Sequence, residues 1–73
     1  MTNHDYISIF KGPKGYINKI VYNFICANAD KGLTFQEIAL AIPHLPYCSH
    51  VTAPTAFQAA LAIRALRRAG MVA

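Results

Sequence analysis

A chain of 73 residues makes one small domain, close to the lower limit for a core that holds together without metal or disulfide help. Apolar residues make up 55% and charged residues 14%, against roughly 25% charged in an ordinary soluble domain, so some apolar surface is left for a partner. Seven Lys or Arg against three acids (Asp5, Asp30 and Glu37) give a net charge of +4; this favours an acidic partner, nucleic acid or protein, and leaves no carboxylate pair for acid–base catalysis.

Residues 38–63 carry no formal charge, but Pro43, Pro46, Pro54, His44 and His50 interrupt them. No run approaches the roughly 20 apolar residues a bilayer span needs. The opening "MTNHDYISIF" has no basic region followed by a long apolar segment, so it does not read as a secretory signal. A cytoplasmic location is expected, with Cys26 and Cys48 as free thiols rather than a disulfide.

In chain order, "DYISIF" is β-branched and aromatic, and the breaker "KGPKG" follows it. Residues 1–16 are therefore expected to form an arm or a short strand, and residues 17–73 a helical core. Tyr6, Ile7 and Phe10 are interface candidates, because an arm outside the helices is well placed to bind. Ile17, Ile20, Val21, Phe24 and Ile25 then recur at helical spacing, and Asn28 interrupts the stripe. Lys31 and Gly32 supply a cationic last turn and a stop. Tyr6, Phe10, Tyr16 and Tyr22 lie near lysines and could stack on RNA bases; packing on the first helix is the weightier reading.

Thr34 and Glu37 form a T-x-x-E capping box, with Leu33 and Ile38 spaced as a staple across it. The second helix is predicted over residues 35–42, ended by Pro43. In the connection "HLPYCSHVTAP", His44, Cys48 and His50 have the spacing H-x3-C-x-H, which matches no strong zinc pattern. Cys26 reads as a core residue. Cys48 and His50 lack a third orienting group for nucleophilic chemistry, and "KGPKG" lacks the P-loop pattern. No cofactor, metal or enzymatic activity is expected. The last helix is predicted from near Pro54 to about residue 69, with Thr52 or Thr55 as its cap, Thr55 and Gln58 as a second capping box, and Gly70 as its stop.

At roughly 100° per residue, Arg64, Arg67 and Arg68 fall within about 100° of arc on that helix, opposite Ala59, Ala62, Ile63, Leu66 and Ala69. Cations at a helix C-terminus complement the macrodipole, but three in five positions repel one another with no acid to pair them. The stripe therefore reads as a binding surface. Lys11, Lys14 and Lys19 form a second basic group, and pairing of an N-terminal strand with the closing "MVA" would merge the two.

The order helix, capped short helix, long helix, then "LRRAGMV" resembles a winged helix-turn-helix domain over residues 33–72. The resemblance implies a three-helix core whose last helix enters the DNA major groove. Two features depart from that pattern: the link before the last helix is about ten residues, and the wing is absent. Only Thr55 and Gln58 are polar base-reading candidates at the front of that helix.

In length, basicity and truncated organisation the chain is also similar to small phage-encoded regulators that bind bacterial RNA polymerase. That likeness implies inhibition of initiation and suppression of intrinsic termination near the RNA exit channel, in the cytoplasm of the bacterial host. Tyr6, Ile7 and Phe10 would supply apolar contact, while Lys11, Lys14, Lys19, Arg64, Arg67 and Arg68 would face acidic protein, nascent RNA or the DNA backbone. The competing readings are a compact DNA-binding repressor and a self-associating structural module. The fold expected on all three is mostly α: a three-helix, helix-turn-helix-like domain with the wing absent and an arm or short strand at the N-terminus.

Overall fold

The computed structural model describes residues 9–72, so Tyr6 and Ile7 lie outside the described residues. Within that range the chain forms three α-helices and no strand: α1 (Gly15–Ala27), α2 (Phe35–Ala41) and α3 (Ala56–Arg68). One-turn 3₁₀ helices follow α1 at Ala29–Lys31 and α2 at Ile42–His44.

The N-terminal strand expected over "DYISIF" is not formed at its described end, where Ile9 is helical and Phe10 lies in a turn. Phe10 folds back onto the core and meets the Tyr22 ring edge-on, with centroids 5.8 Å apart. That return brings the Phe10 carbonyl against Gly15, where any Cβ would collide with it, so the sequence needs glycine there. The Asn18 side chain donates to the Ile9 carbonyl at 2.7 Å and fastens the same turn to the helix. Helix α1 thus begins two residues inside the expected arm. It starts on Lys14 with no side-chain cap and no acid in its first turn.

The apolar stripe of α1 ends at Asn28, as its spacing predicts. The Asn28 side chain donates back to the Phe24 carbonyl at 2.8 Å, a local bond that competes with continuing the helix. Gly32, in the left-handed region at φ 63°, then turns the chain toward α2.

Helix α2 carries the predicted capping box. The Glu37 N–H donates to Thr34 Oγ1 at 3.1 Å, and the Thr34 N–H donates to Glu37 Oε1 at 2.9 Å. The bond from the Thr34 backbone, helped by its side chain, holds the Glu37 carboxyl below its ordinary value of 4.5. A depressed carboxyl favours the fold while it is ionised, and that contribution is lost as the pH falls through its folded value. The thermal midpoint of the native chain is therefore expected to exceed that of Glu37→Gln at neutral pH. The gap should close below pH 4.5, and a pH-independent gap would remove the carboxylate from the cap.

Pro43 does not stop the chain at Ile42, which stays helical at φ −56° and ψ −43°. Instead the ring is accommodated inside a tighter 3₁₀ turn, and the chain turns extended at Leu45. Pro46 cannot donate to the Ile42 carbonyl as an α-helix would require. The Ile42 carbonyl accepts instead from the Leu45 N–H of the 3₁₀ turn at 3.4 Å and from the Tyr47 hydroxyl at 2.6 Å. Burial, with Tyr16 nearby, raises the Tyr47 pKa above its ordinary value, which keeps the phenol protonated and donating.

Helix α3 is the central element and packs against both α1 and α2. Thr55 caps it through the second predicted box, and Pro54 precedes that cap, fully buried, rather than lying in the first turn. At the other end Gly70, at φ 74°, closes a Schellman turn: the Gly70 N–H donates to the Arg67 carbonyl and the Met71 N–H to the Leu66 carbonyl, both at 3.0 Å. Met71 and Val72 fold onto the core and make no strand pair.

The core consists of Ile17, Val21, Ile38, Ala39, Ile42, Ala59, Ala62, Ile63 and Leu66. Ala59 and Ala62 are small and buried, which lets the neighbouring helices approach the α3 backbone. Cys26, expected in the core, is exposed. It lies five positions after Val21, which turns it roughly 140° away from that buried residue. Among the described residues no helix is long and apolar enough to cross a membrane.

Candidate functional site

The candidate site is the outer face of α3. Burial of Ala59, Ala62, Ile63 and Leu66 fixes the helix's rotation, so the residues opposite them face solvent. Phe57, Leu61, Arg64 and Arg68 fall within an arc of roughly 60° on that face, along a line of about 16 Å. Phe57 is 71% exposed and Leu61 40% exposed, although each is a large apolar side chain. An apolar front and a cationic rear therefore form one surface. The sequence reading overlooked Phe57, and its signal was the same helical wheel that grouped the arginines: seven residues before Arg64 is almost two full turns.

The three arginines do not act alike. The Arg67 guanidinium lies over the Phe35 ring, 4.9 Å from its centroid, and ties the end of α3 to the first turn of α2. Arg64 and Arg68 are exposed on the outer face, and Arg68 lies in the last turn, where the macrodipole favours a cation.

The lysines also separate. Lys14, at the start of α1, lines a groove with Ile17, Asn18, Gln58, Leu61, Ala62 and Ala65, and so joins the α3 surface without any strand pairing. Lys19 is exposed on the far side of α1, roughly 160° from both Ile17 and Val21, and does not belong to this surface. Lys11 is exposed in the turn before α1. Phe10 is half-buried in the core contact described above, while Tyr16 is 44% exposed. Leu40, on the outer side of α2, is exposed apart from this surface.

The two polar residues placed for base reading are occupied. Gln58 Oε1 accepts from the Thr55 N–H at 2.9 Å, and Thr55 Oγ1 accepts from the Gln58 N–H at 3.1 Å. Bidentate reading of adenine by glutamine uses the amide oxygen and nitrogen together, so the cap competes with it directly. The front of α3 thus presents Phe57 to a partner in place of a base-reading amide.

Cys26 and Cys48 are both exposed free thiols. Among the described residues, no group of three His, Cys, Asp or Glu side chains comes together to hold a metal ion. Neither a family model, nor a curated protein, nor a solved structure matches the chain.

Proposed function

We propose that this chain is a non-enzymatic transcription regulator that docks on bacterial RNA polymerase through the outer face of α3, inhibiting initiation and suppressing intrinsic termination beside the RNA exit channel. The observation that carries the docking step is the exposure of Phe57 and Leu61 in line with Arg64 and Arg68. Aromatic side chains and arginines are the residues enriched at protein interfaces, and Phe57 with Arg64 and Arg68 presents both on one face. The likeness to small phage-encoded polymerase regulators supplies the partner. The repressor reading is disfavoured because its two base readers, Thr55 and Gln58, are engaged in the cap.

Capture of the tagged chain from nuclease-treated bacterial lysate tests this. Polymerase subunits are expected to be retained through moderate salt, and purified polymerase with added chain should initiate less and read through an intrinsic terminator. Loss of every partner after nuclease treatment, with duplex DNA recovered beforehand, would instead make this a DNA-binding domain. In that case affinity should fall by about 0.9 log units per phosphate contact for each log unit of salt.

A further inference from the structure

The groove between α1 and α3 has a floor of Ile17 and Ala62, both buried, and rims formed by Lys14 and Asn18 on one side and Gln58, Leu61 and Ala65 on the other. Its volume, about 230 Å³, lies below the roughly 300–1,000 Å³ of small-molecule sites, so it suits an anchoring side chain rather than a cofactor. On the α3 rim Ala65 is small, which leaves the approach to the floor open. Its surroundings are cationic: Lys14 on one rim, with Arg64 and Arg68 beyond the other. The two acids among the described residues, Asp30 and Glu37, lie in the 3₁₀ turn after α1 and in the α2 cap, and neither lines it.

We infer that this groove seats an acidic amphipathic helix of a protein partner, an apolar anchor of that helix lying over Ile17 and Ala62 and its flanking carboxylates meeting Lys14, Arg64 and Arg68. The inference rests on the docking reading above in taking the occupant to be protein, and it adds the chemistry of the segment that is bound. A second copy of the chain fits poorly, because a two-fold pairing on this face would bring cationic residues of one copy against those of the other. Nucleic acid would satisfy the cations but leave the apolar floor uncovered.

The test is an amide-resonance titration of the full-length chain with three probes. These are a stapled helical peptide with leucine at i, i+4 and i+7 and glutamate elsewhere, the same peptide with lysine for glutamate, and a single-stranded RNA oligonucleotide. The acidic peptide is expected to shift Ile17, Leu61 and Ala65 saturably and to bind at least about tenfold more tightly than the lysine peptide. Ala65→Phe, which fills the groove without altering a charge, should abolish that response. Leu61→Glu, at an exposed rim position that leaves the core untouched, should also abolish it by repelling the acidic peptide, so the test stands even where Ala65→Phe disturbs the fold. No saturable shift, equal response to both peptides, or tighter occupation of the groove by RNA would overturn the inference. Polymerase capture by the same preparation separates the two readings: capture without a peptide response defeats the groove assignment alone, and a peptide response without capture defeats the polymerase reading alone.

Discussion

Leu66→Ala is expected to remove about 2.7–5 kcal/mol of stability and to lower the midpoint of the far-ultraviolet melt by more than about 10 °C. Leu66 is fully buried on the central helix, and truncating a buried leucine to alanine typically removes about 2.7–5 kcal/mol. A domain of 73 residues has about 4–11 kcal/mol in total at roughly 0.05–0.15 kcal/mol per residue, so one such cavity consumes much of the margin. The position is also poorly able to collapse. Its carbonyl receives the Met71 N–H in the Schellman turn, which holds the backbone at that position. A loss below about 1 kcal/mol by denaturant titration would mean that α3 is not the keel of the fold.

The second large effect concerns binding. Arg64→Glu combined with Arg68→Glu is expected to weaken polymerase binding by at least about 100-fold, or roughly 2.7 kcal/mol, because like charges then face an acidic partner. Stability should fall only modestly, since acids near a helix C-terminus typically cost about 0.3–1 kcal/mol each. Arg67→Ala provides the contrast. It removes the contact with Phe35, an interaction of about 0.5–1 kcal/mol at an exposed site, and should lower the melting temperature more clearly than it lowers affinity. Equal loss of binding from the Arg67 change would return that residue to the interface. Unchanged binding in the double reversal would remove the cationic rear of α3 from the site.

Local signals carried most of the architecture. Both capping boxes, the Asn28 break and the Gly70 stop depend on residues within a few positions of one another, so spacing alone revealed them. The features that escaped depend on neighbours distant in sequence or on competition between local rules. The rule that a residue avoids helical geometry before proline lost at Ile42, where full burial holds the residue in place and its carbonyl is bonded by both the Leu45 N–H and the Tyr47 hydroxyl. Phe10 left the expected arm because Tyr22 and the space opened by Gly15 offered it a packing site. At the site, the grouping of the arginines was legible from the helical wheel, whereas the diversion of Arg67 needed the position of Phe35 on another helix. Thr55 and Gln58 were recognised as a cap and also as base readers; only their bonding geometry shows the first role occupying the atoms needed for the second.

The unequal starts of α1 and α3 have a mechanical consequence. Helix α3 begins on a closed capping box, whereas α1 begins on Lys14, a cation at the positive end of its own helix, without a side-chain cap. The first turn of α1 is held by the Gly15 N–H bond to the Gly12 carbonyl, the Asn18 bond to Ile9 and the burial of Ile17, with no capping box, so its exposed amides should exchange with solvent before those at the front of α3. Because these two turns face each other across the groove, one wall is stiff and the other compliant, and the opening can widen from the Lys14 side without disturbing the helix that carries the arginines.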